Sequence, residues 1–271
     1  MKVVVLWITA AALTGVLLAP QSAWAQDETW KKDRFYFGLG FYRPDFKTQV
    51  RVDDSVTGIS GTLLNLERDL DLSDRKTQAT IDAHFRFAKR HAIEFEYVKL
   101  ARKDESSVGF TIDYDGEVID IGADVETTFK TEVARLAYRL SFINNEKMEL
   151  SGAIGLHITD LTVGLNLVDE TDEEFNDVTA PLPTLGAAFK YHFSENWTFH
   201  IRGEWLDIEI DDINGKLTAG LADLTWYPTR NFGASIGYHI WDLGVKATED
   251  RLTGKVDYEY KGPKLTLNLR F

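Results

Sequence analysis

Side chains able to do acid–base chemistry recur at one spacing. His84 lies between Asp82 and Arg86, His192 follows Lys190, and His200 precedes Arg202 and Glu204, each at a step of two. His157 and His239 share the parity of these neighbours, and His91 falls in a short polar link. A histidine beside a carboxylate can act as a general base for hydrolysis or acyl transfer. The simpler account is that these histidines hydrogen-bond within a polar interior. The usual metal spacing of His-Glu-x-x-His is missing, as is the Gly-x-Ser-x-Gly of a nucleophile elbow. Asp113-Tyr114-Asp115-Gly116 starts like a calcium loop, but the later oxygen ligands do not follow; a tight hairpin turn explains it better. With no cysteine, the chain has no disulfide and no thiolate chemistry. No catalytic, cofactor-binding or metal-binding residue is assigned.

A step of two is the period of a β-strand. Alternation recurs in ten windows: 35–42, 79–87, 93–98, 133–142, 148–158, 185–193, 197–205, 218–226, 232–241 and 265–271. Short links at 88–91, 143–147, 194–196 and 227–231 join them in pairs. The remaining connections are mostly long and acidic. Short turns on one side and long loops on the other are the layout of a transmembrane β-barrel, with the short turns in the periplasm. Asp115-Gly116 and Asn214-Gly215 mark two tight outer hairpins. Because the strands between 92 and 142 exceed the ~9–11 residues needed to span, a β-extension above the membrane is expected.

The two faces of the windows differ sharply. One is uncharged and reads, for example, Phe35, Phe37, Leu39, Phe41 and then Leu185, Ala187, Phe189, Tyr191, Phe193. The other carries Asp82, Glu94, Glu96, Glu149, Glu204 and Asp223 against Arg86, Arg135, Arg139, Lys190, Arg202 and Arg270. A soluble core would pay several kcal/mol for each unpaired ion, whereas a polar lumen can pair or hydrate them. Glu94 and Glu96 precede Arg135 and Arg139 by one strand, so pairing between them is expected. Lys99 continues an apolar face and is expected near the lipid headgroups. Phe87, Phe142, Phe193, Trp197, Trp226 and Phe232 lie beside the short links, as an interfacial aromatic girdle does.

The ends agree. Met1-Lys2, the apolar run to Ala19, Pro20 and Ala23-Trp24-Ala25 form a secretory signal over 1–25, followed by a short periplasmic segment at 26–33 and the barrel at 34–271. The last strand alternates Leu265, Leu267, Leu269 and Phe271 with polar residues and is expected to close the barrel against the strand near Phe35. A closing strand that ends on phenylalanine resembles the signal of bacterial outer-membrane proteins read by the barrel assembly machinery. The segments "LERDLDLSD", "TAPLPTLG" and "YKGPKLTLNLRF" resemble those of a group of proteobacterial outer-membrane barrels, porin-like or of the outer-membrane protein A type. The resemblance implies fold and location and no activity.

The net charge of −13 disfavours nucleic acid. Acidic stretches at 168–178 and 207–212 read as solvated outer loops, or as surfaces for divalent or cationic partners. The fold expected is all-β: a closed antiparallel barrel of ten strands, with eight or twelve as alternatives because 44–76 has room for another hairpin. The function expected is a non-enzymatic structural or surface-interaction barrel with a largely filled polar lumen. A narrow porin-like channel is the alternative, and an enzyme with a lumen His/carboxylate site the third. Expected partners are outer-membrane lipid, lipopolysaccharide and, during biogenesis, the assembly machinery.

Overall fold

The computed structural model describes residues 34–53, 61–114, 117–168, 175–210, 213–249 and 252–271. The signal and the segment at 26–33 lie outside the described residues, as do Asp115-Gly116 and most of the acidic run at 168–178.

Ten antiparallel strands close into a barrel. In chain order its first strand is β1 (Phe35–Tyr42), continued past Arg43-Pro44 by β2 (Asp45–Asp53). A plug segment follows, holding the two-residue β3 (Leu64–Asn65) and the single turn α1 (Leu66–Asp69). The wall then runs through β4 (Gln78–Ala88) and β5 (His91–Ser107). A small hairpin, β6 (Ile112–Tyr114) and β7 (Glu117–Ile119), stands apart from it. The remaining strands are β8 (Asp124–Asn144), β9 (Met148–Leu167), β10 (Asn176–His192), β11 (Trp197–Ile210), β12 (Ile213–Trp226), β13 (Phe232–Glu249) and β14 (Leu252–Arg270). Each pairs with its neighbour, and β14 returns to β1 with Leu269 opposite Phe37 and Leu265 opposite Phe41. Reciprocal backbone bonds between Phe35 and Phe271, 2.8 and 2.9 Å, finish the seam. No sheet edge is left along it.

Eight of the ten alternating windows fall inside wall strands, the other two run one residue past them at Phe193 and Phe271, and the four short links hold the observed turns at one end. Three details differ from expectation. Asn214 and Gly215 do not form the turn of their hairpin: they lie within β12, opposite Glu209 and Ile208, and the chain reverses between Ile210 and Ile213. The hairpin around 115–116 is not the tip of β5 and β8, which pair directly up to Ser107 opposite Asp124; β6 and β7 form a sheet of their own. Beyond β2, the described residues of the region 44–76 add to the sheet only the two-residue β3, paired antiparallel to β2 with Asn65 opposite Gln49 and Leu64 opposite Val50. The region sends Leu64, Leu66, Leu70 and Leu72 into the barrel mouth, each no more than 2% exposed. A short helix forms there because Asn65 caps it: its side chain accepts from the Arg68 N–H at 2.8 Å, and Asp69 accepts from the Asn65 N–H at 2.8 Å. Asp71, at φ 49, turns the chain through the left-handed region that aspartate tolerates, and Leu72 closes the turn on the Leu66 carbonyl.

The wall inverts along its height. Near the short turns its outer face is apolar and exposed, as at Leu136, Ile154, Leu185, Ile236 and Leu265, and its inner face is charged. An outward ring of Lys99, Glu132, Asp160, Asp207, Lys216 and Asp242 ends that band. Lys99 pairs there with Glu132. Beyond the ring the pattern reverses, with Phe46, Val50, Leu100, Phe129, Leu217, Leu243 and Tyr258 buried inside. Lipid demands an apolar outside and tolerates a polar inside; water demands the reverse. β8, with 21 residues, is long enough for both regimes, since about half that length spans the hydrocarbon.

Candidate functional site

The lumen is the place where the charged side chains meet. Alternation aims them there, and register decides which of them touch. β5 and β8 put Glu96 opposite Arg135 and Ala92 opposite Arg139, so Glu94 lies between the two arginines and takes both. Arg135 is 2% exposed and reaches across the barrel from β8 to β11, where its Nε donates to both oxygens of Glu204 at 2.8 and 3.0 Å. His157 contacts the same carboxylate at 2.8 Å. Arg202 donates to Glu96 at 2.6 Å, and Lys264 lies 3.6 Å from that carboxylate and 2.8 Å from Asp82. Arg86 holds both oxygens of Glu149 at 2.8 Å, with Ser141 donating to one of them. Asp223 meets the His200 ring at 3.1 Å and accepts from Thr225.

Two of the twelve expected lumen charges stand outside this network. Arg270 lies at the turn end, its guanidinium 3.6 Å from the Tyr227 ring centre and its Nε on the Arg230 carbonyl. Lys190, opposite Glu149 on one side and His200 on the other, makes no ion pair among the described residues. Conversely, Lys264 and Arg102 were missed. Both share the inward parity of their strands, but lie just beyond the alternating windows. His84, His157, His200 and His239 each face a lumen carboxylate, at 2.8 to 3.7 Å.

These contacts stack in layers. A cavity of about 820 Å³ occupies the turn end, lined by Tyr36, His84, Lys190, His200, Asp223 and Tyr227 among others. It reaches inward as far as Glu96, Arg135 and Arg202. Next come Tyr42, His239, Trp241, Tyr258 and Tyr260 in mutual ring contact; Trp241 stacks on Tyr260 at 5.0 Å. The plug fills the mouth beyond. Arg102, 2% exposed, holds it in place. Its guanidinium donates to Glu67 and Thr48, each at 2.6 Å, and sits 4.2 Å over the Phe46 ring. On the helix itself, the Arg68 side chain hydrogen-bonded to Asp69 holds that carboxyl below its ordinary range.

Chemically this arrangement pairs charge and fills space. Among the described residues no three His, Asp or Glu side chains are grouped to hold a metal ion. His200 with Asp223 and His157 with Glu204 have the geometry of an oriented base; among the described residues the other ring nitrogen of each, His200 Nε2 and His157 Nδ1, has no hydrogen-bond partner, so neither is bonded to a hydroxyl.

Comparison with known proteins places the molecule. The fold is similar to that of the outer membrane protease OmpT from Escherichia coli, with a TM-score of 0.56 and 9% identity over 89% of this chain and 98% of that one. Looser likenesses are Ail, the attachment invasion locus protein of Yersinia pestis (TM-score 0.36, 12% identity, 88% and 99% covered), and OprG from Pseudomonas aeruginosa (0.34, 14%, 88% and 95%). No curated protein matches the sequence. The family model for the outer membrane protein beta-barrel domain matches residues 9–239. Most of the barrel lies within that match, and the chain belongs to the outer membrane protein beta-barrel domain family.

Proposed function

We propose that this outer-membrane barrel is a closed, non-enzymatic scaffold whose work is done at its outer surface. The observation that carries this reading is the double seal of the lumen: the Arg135–Glu204 bridge across its middle, and the plug latched by Arg102 at its mouth. A conducting pore needs a continuous wet path, and two seals of different chemistry stand in its way. The alternative, a narrow channel, is supported by the turn-end cavity, which goes no further than the Glu96–Arg202 layer. An enzyme with a rim site is supported less, because none of the six histidines lies beyond the charged ring. In this reading residues 1–25 export the chain, and Leu265, Leu267, Leu269 and Phe271 address it to the barrel assembly machinery. The apolar band then contacts lipid, and the charged ring contacts lipopolysaccharide headgroups.

Recording from the purified barrel in planar bilayers tests the reading. We expect no steady conductance. Large, stable openings would replace it with the channel.

A further inference from the structure

The outer end carries apolar side chains where water should select against them. On the hairpin and its flanks, Val118 is 64% exposed, Ile121 66% and Phe110 38%. At the β9–β10 connection, Val168 is 45% exposed, Phe175 39% and Val178 55%. These two groups are tied together. Asn176 donates to the Tyr114 hydroxyl at 3.2 Å, and the Val168 N–H bonds the Asp124 carbonyl at 3.0 Å. All of them lie beyond the charged ring, away from the apolar band, so lipid does not account for their exposure. Packing does not demand it either: Ile112 and Ile119 of the same hairpin are buried, so each strand sends one side chain inward while Val118 points out. Apolar clusters exposed on an otherwise polar surface mark interaction sites.

The charges around them select the partner. Asp113 lies opposite Val118 in the hairpin, Asp120 directly precedes Ile121 with Asp124 three residues further on, Asp177 directly precedes Val178, and Lys130 is engaged over the Phe175 ring at 5.3 Å. In the sequence, five further acids separate Val168 from Phe175. A second copy of this chain would bring the same acidic residues and be repelled. We propose that this surface docks a polypeptide segment in which apolar side chains are flanked by lysine or arginine. The apolar groups would cover Val118, Ile121 and Phe110, and the cations would meet the neighbouring aspartates. This rests on the surface-interaction reading above and names its surface and partner class.

The test uses the full barrel in nanodiscs of zwitterionic lipid, with empty discs as background. Three synthetic peptides of one length and pattern serve as probes: leucine with lysine, leucine with glutamate, and serine with lysine. We expect binding of the leucine–lysine peptide above background, weakened roughly tenfold or more by Val118→Ser with Ile121→Ser. That affinity should also fall in high salt. Both substituted positions are exposed, so the variant should keep its heat-modifiable mobility. Equal binding to empty discs, or to the variant, overturns the proposal, and so does equal binding of the leucine–glutamate peptide. A dimer of the wild type that the double substitution dissolves would assign the patch to self-association instead. A silent barrel that binds no peptide sinks the docking surface alone, whereas a conducting barrel sinks the closed-scaffold reading whatever the peptides do.

Discussion

Arg135 and Glu204 meet across the lumen from strands three places apart in the wall, β8 and β11, and both are at most 2% exposed. Such a pair cannot arise from neighbouring strands, and it braces the barrel's cross-section. Arg135→Ala would leave Glu204 with His157, Thr184 and, at 3.7 Å, Arg202, and Glu94 with Arg139 and His84 as its nearest remaining partners. The expected loss is about 3–5 kcal/mol if the pair is fully dry, and less if cavity water reaches it. Urea unfolding in lipid vesicles measures it. An unchanged midpoint would show that the bridge carries no stability.

The plug is held by a separate latch. Arg102→Ala removes the donors to Glu67, Thr48 and the Ser73 carbonyl together. We expect the segment 61–77 to become cleavable by external protease while the barrel stays electrically silent, because the Arg135 layer remains. Combining Arg102→Ala with Arg135→Ala should open a conductance. If Arg102→Ala conducts alone, the inner layer is not a seal.

Gly262 tests the break between β1 and β2. There, Arg43-Pro44 crowds β14 so closely that a Cβ on residue 262 would come within 2.8 Å of the Pro44 Cα, with backbone rather than a flexible side chain as the obstacle. Gly262→Ala should cost about 1–3 kcal/mol through displaced backbone. Gly203→Ala, with nothing near its added Cβ, is the control and should be nearly neutral.

Orientation is checked by labelling. Cysteines placed at Ile121 and Asn196 should react differently on intact cells with an impermeant maleimide, the first labelled and the second not. The opposite result would turn the barrel over and move the docking surface to the periplasm.

Deleting Phe271 removes an exposed ring and the last backbone bonds of the seam with Phe35. We expect the amount of assembled barrel in the outer membrane to fall more than the unfolding midpoint of the barrels that do assemble. Normal amounts of heat-modifiable barrel would argue against an assembly role for the tail.

Several features were legible in the sequence because they follow from local rules. A period of two can be read from any strand alone, so the windows, their lipid faces and the parity of Glu94, Glu96, Arg135 and Arg139 needed no partner. Turn length could be read in the same way. Other features depend on which distant strands face each other. Glu94 sits between Arg135 and Arg139 only because β5 and β8 pair with Glu96 opposite Arg135; a slip of one residue would have turned the set outward. Lys264 and Arg102 hold key contacts from beyond the ends of the alternating windows. The inversion from polar to apolar lumen, and the Leu64–Leu72 plug that fills it, are decided by where lipid ends and water begins. That boundary is a property of the assembled wall, and no single strand states it.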